Sequence, residues 1–217
     1  MPVITISREY GSGGVQIAER LCEILGYSYF DKNLMARVAA EMGISQAEVV
    51  DFSEDTYRMR SFLERLFGRR RMQTEVPAAA PTASSLRVET LSEAAGIDLV
   101  KDTILAAYER DNVVIVGRGG QAILRDKPGV LHVRLIAPLG GRALRVKERE
   151  GIALAEATDL ASSKDQAAVA YLERFFQIDW NNPMLYHLIL NTGKWELVDV
   201  AQVIISALTN MKIVTEL

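Results

Sequence analysis

The sequence predicts a doubly wound α/β fold, in which a five-stranded parallel sheet is covered by helices on both faces. Five short apolar runs, rich in β-branched and aromatic residues, alternate with stretches whose apolar residues recur at helical spacing. Strands that alternate with helices pair in parallel through right-handed crossovers. A chain of 217 residues is long enough to bury a substantial core, so we expect a single domain over residues 1–217.

Each predicted strand is short, mostly apolar and bounded by turn residues, which is typical of strands buried in a parallel sheet. In chain order the strands are Val3–Ser7, Tyr27–Phe30, Asn112–Gly117, Val130–Ile136 and Tyr186–Asn191. The spacing of apolar residues predicts helices, the third of them in two pieces, over Gly13–Leu25, Leu34–Met42, Ser45–Phe67, Ile97–Arg110, Pro138–Glu150, Thr158–Phe176 and Leu197–Leu208. We expect Gly26 to end the first helix as its C-cap.

A glycine-rich turn joins the first strand to the first helix. The turn and the start of the helix consist of Gly11, Ser12, Gly13, Gly14, Val15 and Gln16. Backbone N–H groups that converge at such a turn bind a phosphate, helped by the partial positive charge of the helix N-terminus. A plain tight turn is the alternative, but the contiguous strand, turn and helix favour a phosphate site. A standard phosphate loop reads G-x-x-x-x-G-K-[ST], and Gly14 takes the place of its lysine.

The predicted fold places several polar and glycine-rich segments at one edge of the sheet. Ligands of a doubly wound sheet bind beyond the carboxyl ends of its strands. The segments at that edge are Arg8–Gly14, Asp31, Gly117–Gly120 and Asn191. The fold and the glycine-rich turn therefore predict one and the same site.

Composition argues against several classes of protein. The formal net charge of −3 argues against a general nucleic-acid binder, and one cysteine with two histidines supplies too few ligands for a structural zinc site. No apolar run is long enough to span a bilayer, so we expect a cytoplasmic protein without a membrane partner. Residues 73–88 are rich in Pro, Ala, Ser and Thr without periodicity, and we expect a mobile surface loop there. The run Arg69–Arg71 is either a phosphate or partner patch or a solvated helix end.

Several segments resemble, in the family's own order, those of the P-loop nucleoside monophosphate kinases. The similarity is greatest to the cytidylate-kinase-like branch, which opens with S-R-x-Y-G-S-G-G. The matching segments are Ser7–Gly14, Leu25–Asp31, Val113–Gly120, Ala137–Leu139, Lys164–Asp165 and Trp180–Tyr186. The resemblance covers nearly the whole chain outside Phe52–Leu91. Trp180 and Tyr186, together with Trp195, are expected to be packing residues.

The resemblance implies a P-loop NTPase-type sheet with a helical acceptor lobe inserted over residues 31–96 and a lid over residues 150–178. It implies phosphoryl transfer from ATP, with Mg²⁺, to a nucleoside monophosphate such as CMP. The partners would be small-molecule nucleotides rather than nucleic acids, and the protein a monomer or a homodimer. In such a transfer the rate comes from positioning and from neutralising the charge on the moving phosphoryl group.

The resemblance also implies acceptor-side roles. Arg37 and Arg118 fall where the family orients the acceptor nucleotide, and Asp31 and Gly119 lie beside them. Arginine suits this task because its planar fork grips two phosphate oxygens at once. Two alternatives stay open: Asp31 is equally a helix cap, and Arg37, although its place in the family favours a function, has an exposed, solvated arginine as its alternative.

Catalytic roles are implied for residues of the lid side. Arg142, Arg145 and Arg174 would close over the transferring group, and Asp165 would either help to place Mg²⁺ or cap the lid helix. Because Arg142, Arg145 and Arg149 lie three and four residues apart, they line one helix face. That face is either a phosphate-binding wall or a solvated stripe.

Three positions depart from the family pattern. Gly14 replaces the lysine of the loop, Gln16 stands where a Ser or Thr would bind Mg²⁺, and Ala168 stands where the branch often has an arginine. We hypothesise that Arg8 supplies the missing charge at the donor phosphates and that Arg174 partly replaces the lid arginine. The rival functions are a nucleotide-binding regulatory module with little turnover and a P-loop kinase of a non-nucleotide small metabolite.

Overall fold

The computed structural model describes residues 2–30 and 93–211 of the chain. Several predictions therefore lie outside the described residues. They concern Asp31, Arg37, Arg69–Arg71, the loop over residues 73–88, the two helices Leu34–Met42 and Ser45–Phe67, and most of the insertion over residues 31–96.

The described part contains a five-stranded parallel sheet, which confirms the predicted fold class. The strands are β1 (Val3–Arg8), β2 (Ser28–Phe30), β3 (Val113–Val116), β4 (Val130–Ile136) and β5 (Leu188–Asn191). Their order across the sheet is β2-β3-β1-β4-β5, so β1 lies in the centre. Each neighbouring pair is parallel, with Ile6 opposite Val116 and Ser7 opposite Arg134.

Helices cover both faces of this sheet. They are α1 (Gly14–Leu25), α2 (Glu93–Glu109), α3 (Gly120–Ile123), α4 (Leu139–Glu150), α5 (Leu154–Phe176) and α6 (Leu197–Asn210). As predicted, α1 ends at Gly26, which has a φ of 68° and donates its N–H to the Cys22 carbonyl. Among the described helices, none is both long enough and apolar enough to cross a bilayer.

One element and several boundaries differ from the prediction, including helix α2, which begins at Glu93 rather than at Ile97. The short helix α3 was not predicted, because four residues carry no readable periodicity. Helix α5 begins at Leu154 rather than at Thr158. Thr158 lies inside the helix, where its hydroxyl donates to the Leu154 carbonyl one turn earlier (2.8 Å) instead of capping a helix start. Strand β5 begins at Leu188 rather than at Tyr186, since a 3₁₀ turn over Pro183–Leu185 precedes it.

The core is divided between the two faces of the sheet. On the first face, Ile4 and Ile6 of β1 pack with Val133 of β4 against α1 and α6. On the second face, Val3 and Ile115 pack against α2. Each such buried aliphatic side chain contributes about 1.5–3 kcal/mol to folding, so these layers hold the strand ends in place.

The second face becomes polar toward the carboxyl ends of the strands. Along β1 the buried side chains on this face change from Val3 to Thr5 and then to Ser7, and along β4 they change from apolar Val130 to His132 and Arg134. A parallel sheet binds its ligands at this edge, so buried polar groups there are candidates for function.

Candidate active site

The phosphate loop runs from the end of β1 to the start of α1. Gly11 and Gly13 both have left-handed backbone, with φ of 82° and 86°. A Cβ on Gly11 would lie 2.7 Å from the Arg142 carbonyl oxygen, and one on Gly13 would lie 2.7 Å from the Leu197 side chain. Both the backbone conformation and the space therefore require glycine at these two positions.

The N-terminus of α1 is arranged to receive an anion. Gly13 is its N-cap and makes no side-chain capping bond, and the first turn contains no acidic residue. The first-turn N–H groups of Gly14, Val15 and Gln16 therefore have no side-chain cap or carboxylate in competition with a phosphate. The buried Ser12 hydroxyl also makes no hydrogen bond within the described residues. These features fit the phosphates of ATP.

Arg8 lies against Gly14. A Cβ on Gly14 would lie 2.9 Å from Cγ and 3.1 Å from Cβ of Arg8, so the aliphatic stem of Arg8 covers the position from which a loop lysine would project. A lysine at this position requires Arg8 to move. The absence of the loop lysine and the presence of Arg8 are thus one structural feature.

Arg142 of α4 is buried between the loop and α5, with 6% of its surface exposed. Its Nε donates to the Ala137 carbonyl (2.8 Å), and its Nη1 donates to the Tyr10 carbonyl (3.0 Å) and to Asp165 (2.7 Å). The Glu9 carboxylate lies 3.3 Å from Nε. The solvated-stripe alternative is therefore wrong for Arg142.

Asp165 connects α5 directly to the phosphate loop. Its carboxylate accepts the Tyr10 N–H (2.8 Å) as well as the Arg142 bond. Burial raises the pKa of Asp165, while the Tyr10 N–H and Arg142 act in the opposite direction. Because Asp165 lies in the interior of α5, the alternative in which it caps the lid helix is wrong.

Arg145 contacts the loop from the side of β5. Its Nη2 donates to the Thr192 carbonyl (2.7 Å), and its Nη1 lies 3.4 Å from the Gly11 carbonyl oxygen. The Thr192 hydroxyl in turn donates to the Ser12 carbonyl (2.7 Å). Arg149, at the exposed end of α4, lies over the Tyr10 ring and donates to its hydroxyl (2.7 Å). All three arginines of this helix face therefore contact the loop or its flanking Tyr10, while Arg142 is paired with Glu9 and Asp165 and Arg149 is paired with Glu150.

At the residues that the sequence assigns to acceptor binding, β3 ends in a strained turn. Gly117, Arg118 and Gly119 have consecutive positive φ values of 71°, 59° and 75°. The conformation costs about 1–2 kcal/mol for a residue with a side chain, which strand β3 and helix α3 offset by fixing the backbone. Arg118 is 8% exposed, and a Cβ on Gly119 would lie 2.5 Å from the Phe176 ring. The turn therefore packs directly under the end of α5.

Arg174 and Ala168 lie on α5 at different depths. Arg174 is exposed in the last turn, with its guanidinium 5.6 Å from the centre of the Phe175 ring. Ala168 is buried in an apolar cluster with Tyr171, Leu172 and Trp180. The position at which the family resemblance implies an arginine is therefore part of the core in this chain.

The described part of the chain contains no evident set of protein ligands for Mg²⁺. Among those residues, no group of three or more His, Cys, Asp or Glu side chains is arranged to hold a metal ion. The two carboxylates nearest the loop, Glu9 and Asp165, are both paired with Arg142. We therefore expect Mg²⁺ to be carried by the phosphates of ATP and by water rather than by these residues.

Comparison with known proteins places this chain in a family. Residues 3–194 match the family described as cytidylate kinase-like. The chain belongs to this family. It is similar to the cytidylate kinase of Thermococcus sibiricus, with 29% identity over 195 residues that cover 89% of this chain and 80% of that protein. It is also similar to the cytidylate kinase of Aeropyrum pernix, with 26% identity over 201 residues, or 92% of this chain and 95% of that protein.

Solved structures share the fold of this cytidylate kinase-like chain. An uncharacterized protein from Eubacterium ventriosum has a TM-score of 0.66 at 19% identity, covering 97% of this chain and 100% of that one. A gluconokinase from Sinorhizobium meliloti has a TM-score of 0.53 at 12% identity, covering 96% and 91% of the two chains. A shikimate kinase from Acinetobacter baumannii has a TM-score of 0.51 at 13% identity, covering 98% and 96%. These similarities show the P-loop kinase fold alone.

Sequence reasoning missed the buried polar groups of β4. The His132 and His187 rings are stacked with centres 5.2 Å apart, and the Thr5 hydroxyl bonds His132 Nδ1 (2.7 Å). Burial lowers the pKa of His132 to about 4 and also lowers that of His187. The signal was available as a histidine and an arginine, His132 and Arg134, inside an otherwise apolar strand. Of the predicted packing residues, Trp180 is buried, but Trp195 is 52% exposed and that prediction was wrong.

Proposed function

We propose that this chain transfers the terminal phosphoryl group of ATP to a nucleoside monophosphate, with CMP as the first acceptor to test. The observation that carries the proposal is the uncapped N-terminus of α1 behind a loop in which Arg8 covers Gly14. Membership of the cytidylate kinase-like family and the relatives named cytidylate kinase support it.

The glycine turn binds the donor phosphates in this proposal. Gly11 and Gly13 let the backbone approach an anion closely, and α1 contributes its first-turn N–H groups. Arg8 is the cation at these phosphates, in place of the loop lysine. Bound ATP with Mg²⁺ supplies the phosphoryl group, and no protein base is required because positioning and charge account for the rate.

The arginines of α4 and α5 neutralise charge around the loop. Arg145, which bonds Thr192 beside the loop, and Arg174 close over the transferring group. Arg142 keeps the loop and α5 together through Tyr10 and Asp165, which fixes the geometry that the transfer needs.

Acceptor binding is assigned to the turn after β3 and to the inserted lobe. Arg118, fixed by its strained backbone, orients the acceptor phosphate, and Gly119 gives the acceptor and Phe176 room. Arg37 and Asp31, outside the described residues, complete the assignment. Closure of the lid then excludes the water that would otherwise hydrolyse ATP.

A coupled assay with ATP and each nucleoside monophosphate, run beside binding calorimetry, tests the proposal. We expect turnover with CMP. Binding of ATP and CMP without turnover would select the regulatory module, which the replacement of the loop lysine by Gly14 favours. Turnover confined to sugars or other metabolites in an acceptor screen would select the small-metabolite kinase.

A further inference from the structure

Arg134 is a buried arginine whose charge nothing in the described part neutralises. It is 4% exposed, and its guanidinium lies 4.0 Å from the centre of the Trp180 ring. Its Nη2 donates to the Asn181 side-chain oxygen (3.0 Å). Its Nη1 is buried and makes no hydrogen bond, and no carboxylate of the described residues pairs with this side chain.

A buried charge of this kind destabilises the folded protein unless a group outside the described residues compensates the charge. A cation loses its hydration on burial. A neutral amide and the rings of Trp180 and Tyr186 (5.6 Å from the guanidinium) replace only part of it, because none of them carries a negative charge. Buried arginines are normally paired with an acid, as Arg142 is with Asp165. An N–H group that is buried and unbonded at a ligand-binding edge calls for a partner from outside the protein, either a water or an ion. The positive charge of the guanidinium favours an anion as that partner.

The location of Arg134 agrees with a ligand at the acceptor side. It lies on the second face of the sheet, opposite Ser7, which directly precedes Arg8. The Ser7 hydroxyl accepts the Trp180 indole N–H (2.6 Å), so Trp180 and the guanidinium are fixed to the end of β1. The carboxyl end of β3, with Arg118, lies on the other side of β1 at the same edge.

We propose that Arg134 binds an anionic oxygen of the phosphate group of the acceptor substrate. Trp180 fixes the plane of the guanidinium, and the Asn181 side-chain oxygen accepts a hydrogen bond from Nη2. Nη1 then donates to the phosphate oxygen. This inference rests on the proposed function, since it names a residue that selects anionic acceptors. It differs from a purely structural role, in which Arg134 serves to hold Trp180 in place.

The two roles predict opposite effects on stability. If Arg134 binds the acceptor, Arg134→Met removes an uncompensated buried charge while keeping the length of the side chain. The free protein is then as stable as wild type or more stable, while acceptor affinity falls. If Arg134 is a clamp for Trp180, the same substitution lowers the melting temperature and affects both nucleotides alike.

Calorimetry on the full chain decides between them, with Arg134→Met and the exposed-arginine control Arg20→Met. We expect the CMP Kd to rise at least tenfold in Arg134→Met, with the Kd of a non-hydrolysable ATP analogue within twofold of wild type and Arg20→Met unchanged for both. A smaller rise for CMP, or a loss shared by both nucleotides, overturns the proposal. If Arg134→Met does not fold, Arg134→Lys is judged by the same criterion, since it keeps the charge and loses the fork.

A second measurement separates failure of this inference from failure of the proposed function. If wild type binds no CMP, the proposed acceptor is wrong, and inorganic phosphate becomes the probe, with the donor site filled by the ATP analogue. A phosphate-induced rise in melting temperature that is lost in Arg134→Met then supports the anion site. An equal rise in both proteins overturns it.

Discussion

The side chain of Arg8 occupies the space next to Gly14 that a loop lysine would need. A Cβ on Gly14 would lie 2.9 Å from Arg8 Cγ, a separation that real Cβ atoms do not tolerate. The stem of Arg8 and any side chain at position 14 therefore compete for the same space, so a lysine there requires Arg8 to move. We propose that this is an exchange of one cation for another, in which Arg8 supplies from the strand side the charge of the missing lysine.

This exchange predicts the behaviour of three variants. We expect Arg8→Ala to lower kcat about 100-fold or more, because one lost cation at a transition-state charge costs about 3 kcal/mol. Gly14→Lys alone should destabilise the protein by about 1–3 kcal/mol through overpacking. The double variant Arg8→Gly with Gly14→Lys should recover most of the turnover. Coupled assays and urea unfolding measure both effects, and an unchanged ATP affinity and kcat in Arg8→Ala would contradict the exchange.

Two glycine substitutions should have opposite effects on stability. Gly13→Ala forces a side chain into left-handed backbone and against Leu197 at 2.7 Å. We expect a loss of about 1–3 kcal/mol and of ATP binding. Gly140→Ala is the matched control, since its Cβ meets nothing within 4 Å and helix α4 should gain about 0.5–1 kcal/mol. Urea unfolding and calorimetry with an ATP analogue measure both. Equal ATP affinity in the two variants would count against the loop as the donor site.

Gly119→Ala should affect the acceptor rather than the donor. Its Cβ would lie 2.5 Å from the Phe176 ring, at a φ of 75°. We expect the turn that carries Arg118 to shift, so that the acceptor KM rises about tenfold or more while the ATP KM stays within about twofold. Steady-state kinetics with each substrate varied in turn measures this. Parallel increases in both KM values would argue against an acceptor role for this turn.

Stability should fall as the pH drops below 6.5. Burial holds the pKa of His132 at about 4 in the folded protein, against 6.5 in the unfolded chain. The folded state therefore favours the neutral ring. Stability is complete above pH 6.5, and about 3 kcal/mol is lost between pH 6.5 and pH 4, at about 1.4 kcal/mol per pH unit.

Urea unfolding across this pH range tests the assignment. His132→Gln removes the titrating ring, and we expect its stability to depend less steeply on pH than that of wild type, although carboxyl groups contribute to both. His187 stacks on His132, and its own pKa is also lowered, so His187→Gln should show a smaller change of slope. Identical slopes for wild type and His132→Gln would show that this buried ring does not cause the loss.

The sequence by itself determined the features that are written in neighbouring residues. The strand run from Val3 and the glycines that follow predicted β1, the loop and α1, since alternation, turn chemistry and helical spacing are local properties. The parallel direction of the strands followed from the alternation of strands with helices. Helix boundaries were predicted less accurately. Thr158 predicts a helix start, because hydroxyl residues often cap helices, but they also bond the carbonyl of the preceding turn inside a helix, as Thr158 does here.

Tertiary structure alone decided how the charged side chains are used. The sequence offered Arg142 as a phosphate-binding or solvated arginine and Asp165 as a Mg²⁺-placing or helix-capping residue. In the structure the two side chains meet at 2.7 Å, because α4 and α5 pack against the same loop. In the sequence Arg134 is only a charged residue within an apolar strand. The structure shows that Trp180, distant in the chain, packs on its guanidinium and that Nη1 is buried without a hydrogen bond. Such pairings depend on long-range packing that no local pattern records. The sequence thus predicts the loop at which phosphate would bind, and the packing decides which arginines lie beside that loop.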